Sequence, residues 1–196
     1  MATMGRRERK KAQTRQALTD AAIRLFSEHG YDKVTVAQIA DEADVSIATL
    51  FAHVPDGKEA LIFDDGIERR AGLVTAIRDR PSGQPILAAL RQFMAGRGPF
   101  TTDMPPELQR LRDLIVSTPA LRNYSRKLWI ASEATLAEAI AAENDRDPSD
   151  MTIRALARYV LEIPDLAGAE PDPLAAMNAI FDLLESGWPG PPKGDR

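Results

Sequence analysis

The stretch TVAQIADEADVSIATLFAH, residues 35–53, decides how this chain is read. Thr35 stands just before an apolar run containing Ile39 and Ala40, and Ser46 just before a second run that ends at His53. Hydroxyl side chains at such boundaries accept from the unpaired N–H groups of a first helical turn, so each marks a helix start. The pattern predicts a short helix from Thr35 through Ala43, a turn at Asp44-Val45, and a second short helix to His53. Two short helices joined by a few residues make a helix-turn-helix, the unit that lays its second helix in the major groove of DNA.

Working outward, helical periodicity continues in both directions, and no run alternates with the period of two that a strand needs. Upstream, a helix is expected from about Lys10 to His29, with Ala17, Leu18, Ala21, Ala22, Leu25 and Phe26 on one face and Gly30 stopping it. Downstream, Pro55-Asp56-Gly57 breaks the chain, and a long helix is expected over Lys58–Asp79, ended by Pro81-Ser82-Gly83. Further helices are expected around Ile86–Met94, Glu107–Ser117, Pro119–Glu143, Ser149–Ile163 and Pro173–Ser186, with a surface loop over Gly96–Pro106. The class is therefore all-α with about nine helices. Residues 1–57 are expected as the DNA-binding domain, 58–187 as a larger helical domain, and 188–196 as a mobile tail.

Composition excludes several functions. The 196 residues contain no cysteine and two histidines, which removes disulfides, thiol nucleophiles and cysteine-based metal sites, so neither a metal nor a cofactor is expected. Asp64 and Asp65 are adjacent, and neighbours on a helix diverge by about 100°, so they do not form an acid–base pair. No nucleophile, base and orienting group come together in the sequence, and no enzyme is expected. With no apolar span of membrane length and no secretory leader pattern, the chain is expected to remain in the cytoplasm. The net charge is −4, yet Arg6, Arg7, Arg9, Lys10, Lys11 and Arg15 face only Glu8 in the first fifteen residues. Such a basic end gains counterion release on a phosphate backbone, although a solvated tail would carry the same composition.

At this point the residues themselves resemble a known family, the TetR-type transcriptional regulators. The resemblance runs through Thr14-Arg15, Ala21-Ala22, Leu25-Phe26, Glu28, Gly30-Tyr31, Val34-Thr35-Val36, Ile39-Ala40, Ala43, Val45-Ser46, Thr49-Leu50-Phe51, His53 and Lys58-Glu59-Ala60-Leu61. It covers about the N-terminal third, and it implies a dimeric repressor whose helical second domain binds a small effector. Three positions depart from the family's pattern. Phe51 stands where Tyr is usual, Asp44 where Gly is usual, and Gly57 reads as an insertion before Lys58.

On the second short helix, Ile47, Ala48, Thr49 and Ala52 are placed to meet base edges. Most are apolar, which favours thymine methyl contacts and shape, with Gln38 and Thr49 as the polar candidates for base readout. Arg6, Arg7, Lys10, Lys11, Thr35, His53 and Lys58 are the expected phosphate contacts, with Phe51 at a phosphate position that has lost its hydroxyl.

Further along, Phe93, Met94, Phe100, Met104, Tyr124, Leu128 and Trp129 are candidates for an effector pocket, with Arg112, Asn123 and Arg126 as polar handles. Helical packing accounts for the same residues. The resemblance suggests that the last two helices form a dimer interface through Ile153, Leu156, Tyr159, Val160, Met177, Phe181 and Leu184, although these would serve equally as intramolecular core. A symmetric dimer would require a palindromic operator, with half-sites roughly 34–36 Å apart or more. The partners expected are thus double-stranded DNA, a second copy of the chain and a small molecule. The alternatives are a DNA-binding protein that needs no ligand, a helical small-molecule-binding protein, or an enzyme.

Overall fold

A computed structural model of the protein describes residues 5–101 and 104–187. Among them every regular element is helical: ten α-helices and three short 3-10 helices. The residues gather into two compact units, one running to Asp65 and including Pro106–Tyr124, the other comprising Gly66–Pro105 and the chain from Ser125 onward.

In the first unit, α1 (Arg6–His29) begins four residues earlier than its apolar face requires, because the Glu8 carboxylate accepts from the Gly5 N–H at 3.1 Å and caps the start. It ends at Gly30, whose φ of 81° leaves the helical region. A 3-10 turn (Tyr31–Lys33) leads to α2 (Val36–Glu42) and α3 (Ile47–His53). Asp44 turns the chain between them at φ 53°, the left-handed conformation that a short polar side chain tolerates. Leu18, Phe26, Ile39, Leu50 and Leu61 form the buried core, and α6 (Pro106–Ser117) and the start of α7 (Pro119–Ile130) join it through Leu121 and Leu111. This unit is larger than the 1–57 segment expected, because Leu61 and Leu121 belong to the same core.

No continuous helix spans 58–79. Lys58–Ile62 is a 3-10 helix, Phe63 is extended, Gly66 takes φ 72°, and α4 then runs Ile67–Arg78. The cause lies in α1. The Arg15 guanidinium donates to the carbonyls of Ala60 and Phe63, and the Thr19 hydroxyl to that of Leu61. Those are carbonyls that a continuing helix would offer to residues 64, 67 and 65.

The second unit contains α4, α5 (Ile86–Ala95), α8 (Glu133–Glu143), α9 (Met151–Ala167) and α10 (Pro173–Ser186) around Leu73, Leu90, Met94, Leu136, Val160, Met177 and Phe181. The helix expected over 119–143 is divided at Ala131-Ser132, where Ser132 turns the chain and Glu133 supplies the acidic first turn of α8. The Gly96–Pro106 segment is not simply a surface loop: a 3-10 turn over Gly98–Phe100 brings Phe100 into the core at 2% exposure. α9 runs past Pro164 to Ala167, since a proline in the last turn removes only one N–H. The expected mobile tail, 188–196, lies outside the described residues.

Candidate nucleic-acid interface and effector region

The geometry of the helix-turn-helix follows from its two caps. The Gln38 N–H donates to Thr35 Oγ1 at 3.2 Å, while Gln38 Oε1 accepts from the Thr35 N–H at 2.8 Å and its hydroxyl at 2.9 Å. This reciprocal pairing is a capping box. At α3 the Thr49 N–H donates to Ser46 Oγ at 3.1 Å, and the two hydroxyls lie 2.8 Å apart. Leu50, fully buried, anchors α3 from beneath. The opposite face is open: Ile47 and Phe51 are each 46% exposed, with Ala48 and Ala52 exposed beside them.

Two of the expected base readers are therefore partly engaged within the motif. Thr49 is half-buried with its hydroxyl on Ser46, and the Gln38 carbonyl is held by Thr35, whose own hydroxyl is used in return. Ile47, Ala48, Phe51 and Ala52 remain as the outward surface.

Among the expected phosphate contacts, Arg6, Arg7, Lys10 and Lys11 are exposed on the first turns of α1, which makes them a helical strip instead of a loose arm. His53 is half-buried at the end of α3. Lys58 is corrected. Its ammonium donates to the carbonyls of Tyr31 and Val34 at 2.7 and 2.8 Å and sits 3.9 Å from the Tyr31 ring centroid. Gly57, immediately before it, takes φ 101°. Tyr31 in turn bonds Glu59, and burial together with that carboxylate pushes its phenol well above the ordinary range.

Arg15, grouped above with the basic end, is a brace. It donates to the carbonyls of His53, Ala60 and Phe63, tying α1 to the end of α3, and its burial lowers its guanidinium pKa. Only its place in the Thr14-Arg15 resemblance could have separated it from the neighbouring surface cations. Arg24 pairs with Glu42, tying α1 to α2.

The expected effector residues are divided between the two units. Phe93, Met94 and Phe100 are buried in the core of the second unit, with Trp129 packed against that core and Arg69 over the Trp129 ring at 5.0 Å. Leu128 and Met104 are half-buried. Tyr124 belongs to the first unit, where its ring packs on Phe63 with centroids 5.4 Å apart. Of the polar handles, Arg112 pairs with Asp113 and Arg126 with Glu162. The second unit does hold an open cleft of about 360 Å³, lined by Thr75, Ala76, Asp79, Gln84, Ala89, Gln92, Phe93 and Arg97, which shares only Phe93 with the expected set. At its edge Gly72 packs closely on Phe93, since a Cβ there would lie 2.6 Å from the ring.

The interface residues divide similarly. Ile153, Val160, Met177 and Phe181 are core, at 4% exposure or less, so packing within the chain has claimed them. Leu156 and Leu184 are half-buried, and Tyr159 is 59% exposed. Met151, Leu166 and Leu183 are large apolar side chains on the outside of α9 and α10 that the sequence reading missed. The i, i+7 spacing of Tyr159 and Leu166 was the available signal. A network fastens α9 to α7 and α8 within the unit: Arg126 grips Glu162 through two 2.6 Å bonds, and Arg158 links Glu162 at 3.1 Å to Glu133 at 2.8 Å.

Two capped helices, a buried anchor and an open second helix define a helix-turn-helix DNA-binding protein. The comparisons agree. Residues 18–64 match the family described as bacterial regulatory proteins, tetR family, and residues 84–189 match the MftR C-terminal domain. The transcriptional repressor Rv1474c of Mycobacterium tuberculosis is 30% identical, covering 89% of this chain and 92% of its own length. The transcriptional regulator TcmR of Streptomyces glaucescens is 31% identical over 74% of this chain and 67% of its own. Salmonella enterica GusR shares the fold, with a TM-score of 0.52 at 20% identity, over 89% of this chain and 94% of that one. The chain belongs to the TetR family and is a transcriptional regulator. Among the described residues no helix is long and apolar enough to cross a membrane.

Proposed function

We propose that the chain acts as a dimeric repressor that binds a palindromic operator and is released from it by a small molecule. The observation that carries this reading is the open face of α3, where Ile47 and Phe51 stay exposed while Leu50 locks the helix to its unit. Ile47, Ala48 and Ala52 meet the base edges, joined by Phe51, which shares their open face in place of the phosphate position expected for it, and Arg6, Arg7, Lys10, Lys11 and His53 meet the phosphates. The repressor name of the Mycobacterium tuberculosis relative supports the sign of regulation. Met151, Tyr159, Leu166 and Leu183 supply the dimer face, the outer sides of α9 and α10 being unusually apolar for solvent. The effector occupies the cleft beside Phe93, whose size falls within the usual range of small-molecule sites. A ligand there relieves repression only by binding more tightly to the form that does not fit DNA.

The test is selection of duplexes from a random-sequence library by the purified full chain at ~150 mM salt, a concentration that suppresses nonspecific binding. Enrichment of one palindrome, bound by a species that sediments as a dimer, is the expected result. Enrichment of no sequence would overturn the reading.

A further inference from the structure

The outward face of α3 is apolar throughout. Ile47, Ala48, Phe51 and Ala52 stand at i, i+1, i+4 and i+5, so they share one side of the helix. The nearest polar side chains are partly engaged within the motif. Thr49 is half-buried against the Ser46 hydroxyl, and the Gln38 carbonyl accepts from the Thr35 N–H and hydroxyl. Between Thr35 and His53 there is no Lys or Arg, while Asp41, Glu42 and Asp44 add negative charge. Bidentate readout of guanine needs a cation, and bidentate readout of adenine needs both ends of a free amide. α3 presents neither.

The major groove offers one apolar group for such a surface, the C5-methyl of thymine. Exposed Ile and Phe side chains gain by covering it, because each buried methyl leaves water. Resting on the operator-binding reading above, we infer that this regulator recognises its operator through thymine C5-methyl groups, with Ile47 and Phe51 as the specificity-determining residues. Affinity comes from elsewhere, since the exposed cations of the first unit are concentrated on the opening turns of α1. Specificity and salt dependence therefore reside on different helices.

The experiment starts from the enriched duplex and replaces one thymidine at a time, in both half-sites, with deoxyuridine. This change removes only the methyl group and leaves every base-pairing hydrogen bond in place. At one or more positions per half-site, binding by the unaltered protein should weaken about fourfold for each methyl lost, the worth of one buried CH2-sized group. At those positions the thymidine-to-deoxyuridine ratio should fall to about one in Ile47→Ala or Phe51→Ala, with the slope of binding against salt unchanged. Both side chains are nearly half exposed, and a thermal melt checks that the variants fold. Equal binding of thymidine and deoxyuridine duplexes at every position overturns the inference while leaving operator binding intact. A ratio that survives both substitutions overturns the assignment to these residues. Failure to enrich any duplex overturns the inference together with the reading beneath it.

Discussion

In the first unit the residues singled out from sequence lie mainly at the surface, whereas in the second most of them lie in the core. Ile47, Ala48, Phe51 and Ala52 are open to solvent, but Phe93, Met94, Phe100, Val160, Met177 and Phe181 are all buried. The difference lies in the kind of signal. A capping hydroxyl acts within three residues and so fixes both a helix start and the direction of the side chains that follow. An apolar stripe says only that something covers it, and a neighbouring helix of the same chain is nearer than any ligand or partner.

The largest effect that would sharpen this contrast is expected from Phe181→Ala. As a core residue its loss should cost about 3–5 kcal/mol, read by urea unfolding. An unfolding cost below ~1 kcal/mol would return Phe181 to the interface. Arg15→Met comes next: losing charged bonds to three carbonyls should destabilise the first unit by about 2 kcal/mol. Lys58→Met should cost ~1–2 kcal/mol and leave the salt slope of DNA binding unchanged. A slope reduced by about one would instead make Lys58 a phosphate contact. Tyr159→Ala should shift unfolding of the monomer by no more than ~0.5 kcal/mol, while sedimentation shows a weakened dimer.

The smallest effect is in acid. Hydrogen bonding to Arg126 holds the Glu162 carboxylate below its ordinary value of 4.5, so the unfolded chain binds that proton more readily. The stability from this group is therefore complete above about pH 4.5 and is lost as pH falls through the lowered value. In Glu162→Gln, melting followed between neutral and acid pH should lose that part of the decline. An unchanged acid profile would assign the decline to other carboxylates.

Legibility tracked the range of the forces. Helix starts at Thr35, Ser46 and Pro173 were readable because their causes are local, and the structure places them there. The break between Lys58 and Ile67 was not, because the competing donors, Arg15 and Thr19, are more than forty residues away. Lys58 was misread for the same reason: the two carbonyls that hold it belong to a turn twenty-four and twenty-seven residues earlier.

By itself the sequence determined the all-helical class, the helix-turn-helix and its family, since caps, periodicity and spacing act along the chain. Only the tertiary structure decided which apolar stripes became core, which cations became braces, and that α3 keeps an open face of hydrocarbon. Burial and pairing are settled by whichever groups arrive from distant segments, and one-dimensional spacing carries no record of them.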